Sequence, residues 1–98
     1  MIEKVNYKNK MLALIVRGKY RKRNGITFFT PNESTQQFGY MKHKKNYVIK
    51  PHLHKKRLTK ILYTTEVILL LKGSLRVDFY TSKKKYLFSK VLKEKDII

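Results

Sequence analysis

Apolar residues in this chain fall in short blocks with a period of two or no period, which predicts strands and turns with almost no helix. Residues 11–17 (MLALIVR) form a continuous apolar run suited to a covered strand, and 26–29 (ITFF) a second one after the hairpin-turn dipeptide Asn24-Gly25. Thr30-Pro31-Asn32 opens a loop, and 36–41 and 47–54 follow as strands separated by a basic turn. Residues 58–63 (LTKILY) carry β-branched and aromatic side chains and read as an extended strand, with a short helix as the alternative. The segments 66–71 and 74–80 pair as a hairpin, and 86–92 (YLFSKVL) is the last full strand.

The hairpin expectation carries a register. With Lys72-Gly73 as a two-residue turn, Leu71 faces Ser74, Leu70 faces Leu75, Ile68 faces Val77 and Glu66 faces Phe79. Ile68, Leu70, Leu75, Val77 and Phe79 then share an inward face with Glu66, because Arg76, Asp78 and Tyr80 fall on the other. A carboxylate among those side chains is costly unless it is paired or metal-bound, the alternative being that Glu66 sits at the exposed mouth of its strand. Val67, Leu69 and Leu71 point outward and call for a cover, either the 11–17 run or the equivalent strand of a second subunit.

Ninety-eight residues make one domain with a modest core, and 42% hydrophobic residues with twelve aromatics mark the chain as globular. Cysteine is absent, which excludes a disulfide framework, a thiolate metal site and a Cys nucleophile. The run 11–16 is too short for a signal-peptide core and 67–71 far below spanning length, so the expectation is a cytoplasmic protein without a membrane segment.

The most specific chemistry lies in His52-Leu53-His54. On a strand, residues i and i+2 share one face and can converge on one metal ion, whereas on a helix they would lie about 200° apart. Pro51, Val48 and Ile49 favour the extended form. Lys50 falls on the same face by strict alternation, a tension that a bend at Pro51 or a position at the rim would relieve. His43, in the run KHKKN, reads as a surface residue.

These residues resemble the first signature of the cupin family, a Gly and a His-x-His followed by a Glu, six residues and a Gly. Glu66-Val-Ile-Leu-Leu-Leu-Lys-Gly73 matches the second half with the family's spacing. Asn46 stands six before His52 where the family has Gly, a tolerable change because Asn also visits the left-handed turn conformation. Eleven residues separate His54 from Glu66 where the pattern has three or four, so this stretch must loop out or form an extra strand segment. Residues 26–98 as a whole look like a small single-domain cupin group associated with surface-polysaccharide and sugar-nucleotide functions.

The resemblance implies a single cupin-like domain over 1–98, an all-β jelly-roll (double-stranded β-helix) sandwich. It implies His52, His54 and Glu66 as ligands of a divalent ion such as Mn, Fe, Ni or Zn, among which mixed imidazole and carboxylate donors do not select. It further implies a sugar or sugar-nucleotide ligand and a homodimer through sheet edges. Enzyme action, for example isomerisation of a sugar, would use a metal with an open coordination position. The family's second signature begins at a Gly-Asp turn and later supplies another His. Here Glu94-Lys95-Asp96 occupies that turn, with Lys95 where Gly is expected and no further His after it. The expectation is therefore a partial jelly-roll lacking its C-terminal strands, the product of a truncated or split gene, with a complete small domain that swaps strands in a dimer as the rarer alternative.

Charge offers a competing reading. Lys and Arg number 24 against 6 acidic residues, a net charge of +18, and such a balance ordinarily points to nucleic acid or another polyanion. Nineteen of the 24 are Lys, while Arg is the residue that makes bidentate phosphate and base contacts. Ile, Asn and Tyr are also abundant, and all share AT-rich codons with Lys. Base composition thus accounts for much of the excess, and the runs at 19–23, 42–45, 54–57 and 83–85 read as solvated charge in turns. A basic nucleic-acid-binding β-protein with bases stacked on exposed Tyr and Phe remains the alternative to the cupin reading.

Overall fold

Two hairpins with alternating side chains build the only buried core. In the computed structural model, which describes residues 1–98, Ile2–Tyr7 (β1) pairs antiparallel with Lys10–Val16 (β2). Two further strands are Gly25–Phe28 (β3) and Gly39–Lys42 (β4), also antiparallel. Leu75–Tyr80 (β5) and Tyr86–Leu92 (β6) complete an all-β chain of three two-stranded sheets without a helix. No helix is therefore long and apolar enough to cross a membrane.

The backbone divides into two compact units, residues 1–20 with 65–98, and residues 21–64. In the first, Glu3 faces Ile15 and Val5 faces Ala13 across β1–β2, with a bulge between Val5 and Asn6. Leu75 faces Leu92, Val77 faces Lys90 and Phe79 faces Phe88 across β5–β6. The period of two puts these residues on one side of each hairpin. There Val5, Ile15 and Leu92 form the buried cluster, with Ala13, Leu70, Leu75, Val77, Phe79, Phe88 and Ile98 packed against it. The inward direction expected for Leu75, Val77 and Phe79 is the one observed.

The segment 68–70 has a different partner from the one its sequence suggests. Ile68 exchanges backbone hydrogen bonds with Ile98, and Leu70 N–H donates to the Asp96 carbonyl at 3.0 Å. Ile97 bridges Leu69 on one side and Val16 on the other. The expected 66–71/74–80 hairpin is thus replaced by pairing of β5 with β6, and Phe79 faces Phe88 rather than Glu66. Val67, Leu69 and Leu71 are exposed, and so is Ile68, which the expected register placed on the inward face.

In the second unit no residue is buried. Residues 47–54 and 58–63, expected as strands, pair with nothing and are neither strand nor helix. Strand propensity yields a ladder only where a second segment supplies the hydrogen bonds. The strand β1, by contrast, went unread in the sequence because its inward face holds Glu3, Val5 and Tyr7, so apolar alternation is broken at its first position.

Asp96 ties the first unit together. Its carboxylate accepts from the Gly18 and Lys93 N–H groups, each at 2.8 Å, and from Arg17 at 2.8 Å. Arg17 also pairs with Glu3 and donates to the Val91 carbonyl. Gly18 has to be Gly here, because a Cβ on it would lie 2.7 Å from Lys95 Cβ and 2.9 Å from the Glu94 carbonyl oxygen. Gly18→Ala is expected to cost about 1–3 kcal/mol by forcing these two turns apart. Urea unfolding checks this, and a loss under about 0.5 kcal/mol would show that the turns part freely.

Candidate functional site

His52 and His54 lie in the second unit, downstream of a loop whose shape is set by side-chain hydrogen bonds. Phe29 N–H donates to the Phe38 carbonyl at the loop's base. Gln37 Nε2 donates to the Pro31 and Ser34 carbonyls, both at 3.0 Å. Arg57 then reaches back to the Asn32 and Ser34 carbonyls at 2.8 and 2.6 Å, which ties the histidine-bearing segment to this loop.

The two imidazoles stand with ring centroids 5.3 Å apart and planes inclined by 69°. His52 Nδ1 is 3.0 Å from the Lys50 carbonyl oxygen. With Nδ1–H donating there, Nε2 keeps the lone pair that a metal requires, the usual way in which a ligating imidazole is oriented. Both rings are exposed on backbone without strand pairing, so their proximity owes nothing to a sheet face. His43, expected at the surface, is half-buried and stacks on Tyr47, with centroids 4.0 Å apart and planes 7° from parallel.

Glu66 belongs to the first unit, where it is exposed just ahead of the 68–70 segment. No three His, Asp or Glu side chains are gathered as a ligand set. What the second unit offers a divalent ion is a pair of imidazole donors.

The backbone carries a further signature. Asn46, Gly73 and Lys95 all adopt left-handed conformations, with φ of 70°, 88° and 68°. Asn visits this region at little cost, Gly at none and Lys only under constraint from its surroundings. The constraint at Lys95 is visible in its N–H, which donates to the Leu70 carbonyl at 2.6 Å, and in Asp96 beside it, whose N–H donates to the Lys93 carbonyl.

Electrostatics concentrate in two places. In the first unit, Arg17 is flanked by Glu3 and Asp96. Hydrogen bonding to Arg17 holds the Glu3 carboxyl below the usual range against the opposing effect of burial. Burial would raise Asp96, but the Lys93 and Gly18 N–H groups and Arg17 outweigh it and lower its pKa. These groups are all mutually satisfied, a structural arrangement rather than a reactive one.

In the second unit, Arg21, Lys22, Arg23 and Lys42 line one open groove. The runs 19–23 and 42–45, expected as solvated charge in turns, meet at one end of the β3–β4 hairpin. Pairing of Gly25 with Lys42 is what brings them together, because 21–23 leads into β3 just where β4 ends. The signal available in the sequence was the position of two basic runs at the same end of one hairpin.

No protein-family model, curated protein or solved structure matches the chain.

Proposed function

We propose that the chain is a cupin-type module binding a divalent metal ion and a small molecule of the sugar or sugar-nucleotide class. In this reading His52, His54 and Glu66 supply the metal donors and the strands form part of a jelly-roll, with a homodimer through sheet edges covering Val67, Leu69 and Leu71. The observation that carries the reading is the backbone at the three positions where the resemblance demands glycine. Asn46, Gly73 and Lys95 are all left-handed, two of them without being Gly. Lys8, Gly25 and Lys84 have positive φ too, at turns outside the resemblance, so these φ values bear on the glycine correspondences and not on the ligand set. The Nδ1 contact of His52 adds the correct tautomer for ligation through Nε2.

Calorimetric titration with Zn, Ni and Mn tests it on the parent and on His52→Ala, His54→Ala and His43→Ala. Two imidazoles and one carboxylate leave at least one position to water, so uptake is expected to be weak. It should vanish in the first two variants and persist in the third. Equal uptake by the parent and the His52→Ala, His54→Ala double variant would remove the histidines as ligands.

A further inference from the structure

We propose that the segment 66–72 is a self-complementary edge through which two copies of the chain join, antiparallel and centred on Leu69. The homodimer of the proposed function gains by this an edge and a register; the pairing rests on that part of the reading and needs no metal. Ile97 bridges Val16 on one side and Leu69 on the other, so 68–70 is the outermost piece of the β1–β2 sheet on this side. Ile68 and Leu70 commit their backbone groups to Ile98, Asp96 and Lys95. By alternation, the N–H and C=O groups of Val67, Leu69 and Leu71 point to the other edge, where no backbone group of the chain meets them. Their side chains are each more than half exposed, and 67–71 holds neither a charge nor a Pro to blunt the edge. The opposite edge, β1, has both a bulge after Val5 and the charged Lys4.

Self-complementarity selects a second copy as the occupant. In a two-fold pairing, an outward-pointing residue has to meet another outward-pointing residue to exchange hydrogen bonds. Centring on Leu69 sets it opposite the partner's Leu69, Val67 opposite the partner's Leu71, Ile68 opposite the partner's Leu70 and Glu66 opposite the partner's Lys72. Every apolar residue then meets an apolar one, and both ends close on an opposite charge. A slip of two residues sets Glu66 against the partner's Leu70 or the partner's Ser74 and leaves the charges unmatched.

Within one chain these groups have no such use. Extended backbone holds Glu66 and Lys72 about 20 Å apart. Neither takes part in the chain's ion pairs, whose carboxylates are Glu3, Asp78 and Asp96. Ile68 is 41% exposed on the same face as Leu70, which packs against the buried cluster, and the partner's Leu70 directly across would continue that apolar face. A net charge of +18 on each copy opposes association at long range, so strand pairing should tighten as salt screens it.

Sedimentation velocity on the full chain from about 5 to 500 µM, with a chelator present, tests this. The parent should pass from monomer to dimer, and more readily at about 500 than at about 100 mM salt. Glu66→Lys and Lys72→Glu change the net charge in opposite directions, yet each sets like charges face to face and should weaken the dimer about tenfold. The double variant restores both ion pairs in reverse and should recover the parent's association within about twofold. Leu69→Lys, which brings two cations together at the two-fold axis, should stay monomeric throughout. All these positions are exposed, and thermal unfolding of each variant confirms that the fold persists. A parent that is monomeric at every concentration would overturn the interface, while leaving metal uptake by the imidazoles as a separate result. A double variant no better than either single one would overturn the register. A dimer that forms only when Zn is added would show metal bridging in place of strand pairing.

Discussion

Asp96→Ala is expected to destabilise the first unit by about 3–5 kcal/mol, the range for removing one partner of a buried ion pair. Asp96 is 4% exposed and receives three hydrogen bonds from three different residues, Arg17, Gly18 and Lys93. Its loss leaves two N–H groups and a guanidinium without their acceptor, and each orphaned donor keeps its desolvation cost. Asp96→Asn keeps the volume and one acceptor oxygen, so it should fall between the parent and the Ala variant. The same carboxylate sets an acid limit. Its folded pKa is lowered, as is that of Glu3, so both stabilise fully above the unfolded value of about 4 and the contribution is lost as pH falls through the depressed folded values. Urea midpoints at neutral pH and across pH 2–5 read both effects. An Asp96→Ala loss below about 1 kcal/mol, or an acid profile identical to the parent's, would contradict the role assigned here.

Leu92→Ala should cost about 2–5 kcal/mol, because it empties the centre of the only buried cluster. Leu92 is fully buried with Val5 and Ile15, at the point where the β5–β6 hairpin meets the β1–β2 hairpin. The adjacent Val91 points the other way and is 45% exposed, so Val91→Ala serves as its control with a change of about 0.5 kcal/mol. Equal effects at the two positions would mean that the inner and outer faces of β6 are assigned the wrong way round.

Apolar and β-branched content was enough to read β2 and β6 without knowing their partners. Strand β6 spans the residues expected of it and β2 differs by one position at each end. The inward set Leu75, Val77 and Phe79 follows from the period of two alone. Asn is a residue type that visits the left-handed turn conformation, and the backbone at Asn46 is left-handed. Residues 66–71 show the opposite case. Lys72-Gly73 looks like a hairpin turn, but three backbone groups of 68–70 bond to residues 96–98, a pairing that no local pattern encodes. Residues 47–54 and 58–63 have strand composition and no ladder, since composition does not name a partner. The candidate site divides the same way. His52 and His54 were legible as a pair, while the groove needed the β3–β4 register to bring two distant basic runs to one place.

The bridge from Val16 to Ile97 has a consequence for the chain as it is made. These residues are 81 positions apart, and at 5–20 residues per second a ribosome takes roughly 4–16 s to travel that distance. During that interval the β1–β2 hairpin has neither Ile97 beside it nor Leu92 over Val5 and Ile15, so its apolar face waits uncovered. Assembly of the first unit therefore waits until residues 92–97 have been made, and the nascent hairpin is the surface that a holding chaperone would meet first.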